Sequence, residues 1–520
     1  MTTHTTGDTR TNAGRREWMG LAVLALPTLL LSLDMSVLYL ALPHLAADLA
    51  PSSSQLLWIM DGYGFMVAGF LVTMGTLGDR IGRRRLLLIG ATAFGIASVA
   101  AAYATSAEML IVTRFLLGIA GATLMPSTLA LISNMFTNPK QRATAIAVWM
   151  SCFMGGTVIG PVIGGVMLEW FWWGSVFLLG VPVMVLLLVT APALLPEYKD
   201  DNAGRIDLTS VVLALGTVLP VVYGLKEVAN EDVEVLALLA IAIGGAVGVV
   251  FVRRQLRLND PLLDLRLFAN GEFGTALVTM MIGGFFMGGT FLLISQFLQL
   301  VGELSPLEAG LWLVPPSIGM IVATNLAPRL AARWGAWPII VGGMAIAAVG
   351  IGLLTQLAAS GSLVLAPVGM LIAMVGLGPG SALVTEIVLS SAPPERAGSA
   401  ASLSETGGEL GISMGVALLG SLAGLAYRLN LDVPPGTPED LAGAMNDGLP
   451  ATVAAAGTMS PDAAAPLVEM AQRSFTSGLN LVAAIGAIGI FVLVVVLVNA
   501  LRKGRITEPA AAPLEPESTP

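Results

Sequence analysis

Apolar segments long enough to cross a lipid bilayer recur along the whole chain. The hydrocarbon core of a bilayer, about 30 Å thick, requires about 20 apolar residues in a helix. Because a spanning segment must satisfy its own backbone hydrogen bonds, these segments predict helices. The sequence therefore predicts an all-α integral membrane protein with 14 spans, which begin near Trp18, Leu57, Leu86, Met109, Ala143, Trp172, Asp207, Val233, Phe273, Leu307, Trp337, Leu363, Gly398 and Ser477.

The composition excludes a water-soluble fold and several kinds of site. Charged residues are 11% of the 520 residues and hydrophobic residues are 55%, whereas a soluble domain carries about 25% charged residues. One cysteine, Cys152, and two histidines, His4 and His44, exclude a disulfide framework and a Cys- or His-rich metal site. A net charge of −9 without a long basic face argues against nucleic acid.

The distribution of basic residues predicts the orientation in the membrane. With the N-terminus inside, 21 of the 25 Lys and Arg residues fall in cytoplasmic segments. Lys226, Arg428 and Arg473 fall outside, and Arg114 lies within a span. Since cytoplasmic loops are enriched in Lys and Arg, both termini are predicted to be cytoplasmic.

The external segment 428–475 is long and acidic. Two interpretations stay open: a solvated tether, or an acidic surface that concentrates cations. A short helix is predicted within it, around Asp440–Met445.

An internal repeat predicts how the spans are grouped. The turn after the second span, Gly75–Arg83, resembles the turn after the tenth, Ala327–Gly335, in its basic residues and final glycine. This predicts two parallel six-helix halves with two linker helices inserted between them. The predicted units are a tail over 1–17, an N-terminal half over 18–198, linker helices seven and eight over 199–254, a C-terminal half over 255–500 and a tail over 501–520.

Asp34 and Arg114 are charged residues inside predicted spans. Asp34 stands in the first, within Leu33–Pro43, and Arg114 in the fourth, within Leu110–Gly121. A charge at mid-membrane costs about 2.5–3.5 kcal/mol on insertion scales, so each residue is a functional candidate. Arg114 needs a carboxylate or carbonyl partner. A purely structural role is the alternative for both.

The turn after the second span holds Gly75, Asp79, Arg80, Gly82 and Arg83. Its glycines permit a tight turn, and Asp79 can cap a helix or pair with an arginine. A cytoplasmic gate is one interpretation, and a set of topology-determining arginines is the other.

Helix five carries Gly156, Gly160, Pro161, Gly164 and Gly165. Small residues at this spacing permit close helix approach, and the proline bends the helix. The proline and the paired glycines make the pattern more specific than a simple packing face.

Four motifs together resemble the major facilitator superfamily, in particular its 14-span drug:proton antiporters of the QacA and SmvA type. They are the segments Leu33–Pro43 and Leu110–Gly121, the turn after the second span, and the glycine and proline pattern of helix five. The resemblance extends from Leu33 to the C-terminal tail. It implies the major facilitator fold, a bacterial inner membrane, and multidrug efflux driven by the proton gradient without a cofactor or ATP. It also implies that the cytoplasmic turn latches the outward-facing state, that the helix-five motif marks antiporters, and that Arg114 takes part in proton transfer. Leu117 departs from the family pattern, which often has glutamine there.

Further acids match acidic positions of that family. Asp61 lies about one turn into the second span, and Glu405 and Glu409 share one face of the thirteenth. With Asp34 and Arg114, they are predicted to bind protons or the substrate cation. Met320 stands where relatives can carry an acid, which weakens the expectation for doubly charged substrates. Glu386 is an unassigned candidate.

Aromatic and methionine side chains can line a cavity for flat apolar cations. The predicted lining residues are Tyr63, Trp149, Phe285, Phe286, Met287 and Trp312. For each, packing or lipid contact is the alternative.

The sequence contains one match to a hydrolase motif, and this match lacks the context that the motif requires. Gly411, Ser413 and Gly415 match G-x-S-x-G, but this pattern needs a preceding strand and a histidine base. The sequence contains no G-x-x-x-x-G-K-[ST] loop for ATP.

The predicted function is therefore proton-coupled efflux of lipophilic mono- and divalent cations, such as quaternary ammonium antiseptics and dyes, by a monomeric protein that is not an enzyme. One alternative is export of a physiological metabolite, lipid or siderophore by the same fold; the presence of several acids and one intramembrane base argues against an anion. A membrane sensor that transports nothing is the other.

Overall fold

The computed structural model describes residues 13–199, 207–228, 235–258, 261–391, 397–434, 437–457 and 459–503 as a bundle of helices without strands. Most of the two predicted tails lies outside these residues. The α-helices are α1 Arg15–Leu49, α2 Ser53–Ile81, α3 Arg83–Ala102, α4 Ala107–Met135, α5 Pro139–Trp170, α6 Ser175–Leu178, α7 Gly180–Leu194, α8 Leu208–Val228, α9 Val235–Arg257, α10 Gly271–Gln296, α11 Pro306–Trp334, α12 Ala336–Leu354, α13 Leu365–Ser390, α14 Ala397–Asn430, α15 Glu439–Asp447, α16 Leu449–Ala456 and α17 Pro461–Arg502.

Fourteen of the helical segments in the described residues are long and apolar enough to span a membrane, which confirms the predicted number. The short α6 and α7 together make one span, and a π-helical turn over Phe297–Val301 extends α10. We call the face where α1 begins and α17 ends the terminal face, and the opposite face the distal face. Helix α17 begins at Pro461, before the predicted Ser477, because a proline at the first helical position and the alanines after it favour helix.

The two halves repeat the same helix pairings. Helix α1 packs on α5, α2 on α4, α3 on α4, and α3 on α7. In the second half α10 packs on α14, α11 on α13, α12 on α13, and α12 on α17 in the same order. The halves meet along two seams, α2 with α14 and α5 with α11. The bundle is thus an all-α fold built from two repeats of six spans.

Matching glycines close the equivalent turns of the two halves. Gly82 joins α2 to α3 with a φ of +110°, and Gly335 joins α11 to α12 with a φ of +86°. Residues with a β-carbon rarely adopt this backbone region, so glycine is required at both turns. The repeat that the sequence indicated is therefore present in the backbone.

Helices α8 and α9 form a hairpin against the seam between α2 and α14. Phe65 of α2, Val222 of α8 and Ala417 of α14 form a small buried apolar cluster there. Much of α9 is exposed on the outer surface, and a bilayer would cover that apolar surface.

The segment 428–475 lies at the distal face, and we call it the distal segment. Its described part is folded into helices, which contradicts its interpretation as a solvated tether. The predicted short helix is confirmed as α15, although the side chain of Asp440 lies outside the described part. Tyr427 Oη donates to the Met445 carbonyl over 2.9 Å, and Met445 and Leu449 are fully buried. Partial burial raises the pKa of the Asp447 carboxyl, while the nearby Arg428 acts to lower it.

Candidate functional site

A cavity of about 170 Å³ lies midway through the bundle, between the two halves. Helices α1 and α5 line it on one side, and α10, α11, α13 and α14 line it on the other. Its wall is mainly apolar. Its flexible and aromatic side chains are Met154, Met287, Met320, Met374, Tyr39, Phe153 and Phe291.

Among the described residues that line this cavity, Glu409 is the one with a carboxylate side chain. Its Oε2 atom is buried without a hydrogen-bond partner. Leaving a buried polar atom unsatisfied costs about 1–3 kcal/mol, and more for a charge, so the atom marks a place for a proton or ligand. Glu405 lies one turn nearer the terminal face of α14 and is not among the lining residues. Glu386 is exposed on α13.

Asp34 and Arg114 form an ion pair between α1 and α4. Arg114 Nη1 donates to Asp34 Oδ2 over 2.9 Å, and their side chains are 1% and 10% exposed, respectively. Arg114 Nε also donates to the Ile59 carbonyl over 3.1 Å, and its guanidinium lies 4.6 Å from the centre of the Tyr63 ring. The structure thus supplies both kinds of partner that Arg114 was expected to need.

Tyr39 lies between this ion pair and the cavity. It lines the cavity and also a small space of about 10 Å³ bordered by Asp61, Tyr63 and Arg114. Its ring packs edge-on against Phe291, with centroids 5.0 Å apart.

Asp61 is paired with a base that the sequence interpretation placed outside the membrane. Lys226 Nζ of α8 lies 2.9 Å from Asp61 Oδ2, and their side chains are 1% and 0% exposed. The expectation of one intramembrane base was therefore wrong. Lys226 had a signal in the sequence: it ends an apolar segment, and the carboxylate of Asp61 needed a partner. Neither residue lines the cavity.

The predicted gate residues lie at the terminal ends of α2 and α3. Arg83 Nη2 lies 2.6 Å from Asp79 Oδ1, and the next residue, Arg84, donates its backbone N–H to Glu197 Oε1 over 3.0 Å. A β-carbon on Gly82 would collide with the Glu197 carboxylate. A β-carbon on Gly75 would meet Pro126 at an ordinary contact distance of 3.9 Å, and Arg80 is exposed. These contacts stay within the N-terminal half, so the described residues show no ion pair across the halves here.

The helix-five motif divides between two neighbours. Gly156, Gly160 and Gly164 face α1, where added β-carbons would collide with Leu29, Ser36 and Val37. The other two residues face α11 across the seam between the halves: Gly165 lies against Leu307, and the Pro161 carbonyl lies against Gly310.

These seam contacts lie on the distal side of the cavity. On α5 the cavity residues Phe153 and Met154 precede Pro161 and Gly165, and Pro161 is nearer the terminal face than Gly165. On the other seam, Gly420 of α14 lies against Leu57 of α2. The contacts between the halves therefore separate the cavity from the distal face.

The residues predicted to line a cavity divide into three groups. Met287 lines the central cavity, and Tyr63 lines the small space beside Arg114. Phe285 and Trp312 are not among the residues that line the central cavity. Two more are used in packing: Trp149 donates to Thr128 Oγ1 over 3.2 Å, and Phe286 packs against Gly486 and Gly489. The sequence interpretation missed Tyr39, Phe153 and Phe291, since nothing in the pattern marks which helix faces converge.

Ser413 of the G-x-S-x-G match lies in the middle of α14, against Gly64 of α2. Gly411 and Gly415 pack against the backbone of α10. The three residues are a helix-packing face rather than a nucleophile turn.

Comparison with known proteins agrees with this architecture. A sequence model described as Major Facilitator Superfamily matches residues 24–416. The multidrug efflux pump LfrA of Mycolicibacterium smegmatis is 40% identical over 493 residues, which cover 95% of this chain and 98% of that protein. The methyl viologen resistance protein SmvA of Salmonella typhimurium is 32% identical over 463 residues, which cover 88% of this chain and 93% of that protein.

A solved structure shares the fold. It is a bacterial homolog to the human lysosomal transporter Spinster, in an inward-facing and unoccupied conformation. The TM-score is 0.66 at 17% sequence identity, and the match covers 96% of this chain and 100% of that chain.

Proposed function

This chain belongs to the major facilitator superfamily, and we propose that it exports lipophilic cations from the cell in exchange for protons. Two relatives are a multidrug efflux pump and a methyl viologen resistance protein, which supports efflux of small toxic molecules. The relatives do not decide the charge of the substrate or the energy source. Those two points rest on the residues of the site.

The observation that carries the proposal is the unpartnered Oε2 of Glu409 in a mainly apolar cavity. A lipophilic cation supplies what this atom lacks, since its charge pairs with the carboxylate while its body displaces water from methionine and aromatic surfaces. The flexible methionines adapt to different shapes, which suits a multidrug substrate range. The one carboxylate in the wall favours monovalent over divalent cations.

We assign proton coupling to Asp34 and the two glutamates of α14. A carboxylate that accepts a proton loses its attraction for a cation, so one group binds either of them and exchange follows. Arg114 of α4 lies 2.9 Å from Asp34 of α1, so a change in the charge of Asp34 alters an ion pair that joins these two helices. Glu405 is the acid nearest to Glu409 on the same helical face and could relay the proton to it.

We place the terminal face in the cytoplasm of a bacterial inner membrane. The excess of Lys and Arg on the terminal-face segments supports this orientation. The distal seams would then be closed and the cavity would face inward. In that state the Asp79–Arg83 pair stays within one half, and the terminal turns are free to approach the other half when the protein opens outward.

The alternative substrate, an anionic metabolite, lacks a free partner. Three bases are buried in the described spans, and each is paired with a carboxylate within 2.9 Å: Arg83, Arg114 and Lys226. An anion in the cavity would meet Glu409 instead, and like charges repel.

Ethidium efflux from membrane vesicles tests the proposal. We expect efflux when a pH gradient is imposed in the absence of ATP, and we expect an uncoupler to abolish it. Efflux that depends on ATP and ignores the gradient would exclude the proton mechanism. Failure to move any monovalent dye, with the protein present in the membrane, would exclude the substrate class.

A further inference from the structure

The ion pair of Asp61 and Lys226 is as fully buried as any charged pair in the described residues. Lys226 Nζ is 2.9 Å from Asp61 Oδ2 and donates to Asp61 Oδ1 over 3.2 Å. The indole ring of Trp58, one turn earlier on α2, lies 3.9 Å from the same ammonium nitrogen. A carboxylate beside an aromatic ring can bind a lipophilic cation through charge pairing and a cation–π contact. Here the ammonium group of Lys226 already occupies the position between Asp61 and Trp58.

The surroundings of Asp61 leave no room for a second cation. The free space that Asp61 borders is about 10 Å³, which is barely enough for one water molecule. Asp61 does not line the central cavity. The neighbouring acid, Glu227, accepts from Ser54 Oγ over 3.1 Å on the distal side.

The other end of α8 is held by a polar network at the terminal face. Arg254 of α9 donates to Asp207 Oδ1 over 2.8 Å, and Gln255 Nε2 donates to Ser210 Oγ over 2.6 Å. Gln255 also accepts the backbone N–H of Leu263, in the segment that leads into α10, over 3.1 Å. The linker is thus tied to the C-terminal half at the terminal face and to α2 of the N-terminal half near the distal face.

We propose that Lys226 is the permanent counter-ion of Asp61, and that this pair anchors the linker helix α8 to the N-terminal half instead of binding protons or substrate. Asp61 is then removed from the group of acids that the family resemblance suggested for coupling. Lys226 becomes a positioning residue: it holds α8 over the seam of α2 and α14, where Phe65, Val222 and Ala417 are buried together. The inference extends the proposed function but does not depend on the identity of the drug.

Paired substitutions test the anchor. Removing one partner leaves an uncompensated buried charge, whereas replacing both by apolar residues of similar size is often tolerated. We expect Asp61→Leu alone and Lys226→Met alone each to lower transport, or the amount of folded protein, by about tenfold or more. Asp61→Leu combined with Lys226→Met should restore both to within about threefold of the parent, with an unchanged dependence of efflux on pH.

The same pairing at the other buried ion pair is the matched control. Asp34→Leu combined with Arg114→Met should insert into the membrane but fail to restore gradient-driven ethidium efflux, because those charges belong to the coupling site. A reversed pair, Asp61→Lys with Lys226→Asp, keeps both charges and tests the anchor if the apolar pair does not fold.

The outcomes separate the two hypotheses. A paired variant at Asp61 and Lys226 that folds but loses proton-driven efflux, or shifts its pH profile, would return Asp61 to the coupling acids and overturn the anchor. If neither paired variant recovers folded protein, the anchor is also wrong, since compensation is its premise. If the parent moves no dye, the proposed function has failed, and melting temperatures of the purified single and paired variants then decide the role of Lys226.

Discussion

Arg114 on α4 donates to the carboxylate of Asp34 on α1 over 2.9 Å, and the guanidinium is closed off from solvent. The pair joins α1, which lines the cavity, to α4, which does not. A change in the charge of Asp34 therefore alters an interaction between α1 and α4.

Asp34→Asn should stop uphill transport of every substrate while downhill exchange continues. The amide cannot carry the charge that Arg114 neutralises, so binding no longer exchanges with a proton. We expect gradient-driven ethidium uptake into inverted vesicles to fall by about tenfold or more, with counterflow retained. Asp48→Asn is the control on the same helix, because Asp48 accepts from Trp173 at the distal end. Accumulation against a gradient by Asp34→Asn would refute this coupling assignment.

Glu409→Gln should weaken cation binding more than it weakens coupling. A hydrogen bond to a charged group contributes about 1.5–3 kcal/mol, which corresponds to an increase in KM of about 10- to 150-fold. We expect comparable increases for a bis-cationic antiseptic and for ethidium, since each compound loses the one carboxylate in the described cavity wall. Glu386→Gln is the control, because Glu386 is exposed on α13. Normal KM values for both compounds in Glu409→Gln would make the residue structural.

Met320→Asp should improve the transport of divalent cations. Met320 lines the same cavity as Glu409 but lies on α11, which belongs to the other seam between the halves. A carboxylate there offers the second charge a partner. We expect the ratio of bis-cation to ethidium efflux to rise by about threefold or more. Met320→Leu, which conserves volume, should leave that ratio unchanged. If Met320→Asp is present in the membrane and the ratio does not rise, the cavity does not bind the second charge.

Gly165→Val should disrupt the distal seam between α5 and α11. The added side chain would collide with the backbone at Leu307, and overpacking of this kind costs about 1–3 kcal/mol. We expect efflux to fall by about fivefold or more in reconstituted vesicles. Gly155→Val is the matched control on α5, because a β-carbon there meets nothing within 4 Å. Equal loss in both variants would show that the helix, and not the seam, is sensitive.

Asp79→Asn should abolish transport while leaving membrane insertion intact. Asp79 holds Arg83 at 2.6 Å at the terminal turn, and the arginines that set topology are all retained in the variant. Efflux and protein abundance should be measured together, with Arg85→Gln as the control, since Arg85 is largely exposed and lies 3.9 Å from Glu197. Normal efflux by Asp79→Asn would reduce this turn to a sorting signal.

Features set by local chemistry could be predicted from the sequence. The number of spans follows from the length of apolar segments, and the repeat follows from Gly82 and Gly335, whose positive φ angles only glycine adopts readily. The partner of Arg114 could be expected in kind, because a buried guanidinium must be neutralised.

Features set by packing between distant helices could not be predicted. Lys226 looked like a loop residue, since an ammonium at the end of an apolar segment can reach either water or a neighbouring helix. Which methionines and aromatics face the cavity depends on the rotation of six helices about their axes, and hydropathy carries little information on rotation when every face is apolar. The distal segment was interpreted as a tether because its many acidic residues indicate exposure to solvent, although Met445 and Leu449 among them are buried.

The position of the α8–α9 hairpin makes the two sides of the transporter unequal toward the surrounding lipid. It covers the seam of α2 and α14, so acyl chains cannot reach the cavity along that side. The seam of α5 and α11 has no such cover among the described helices, and exposed apolar residues such as Val148 and Val322 flank it toward the terminal face. A molecule dissolved in the leaflet on that face can therefore approach the cavity along the seam of α5 and α11, whereas the α8–α9 hairpin blocks its approach along the seam of α2 and α14.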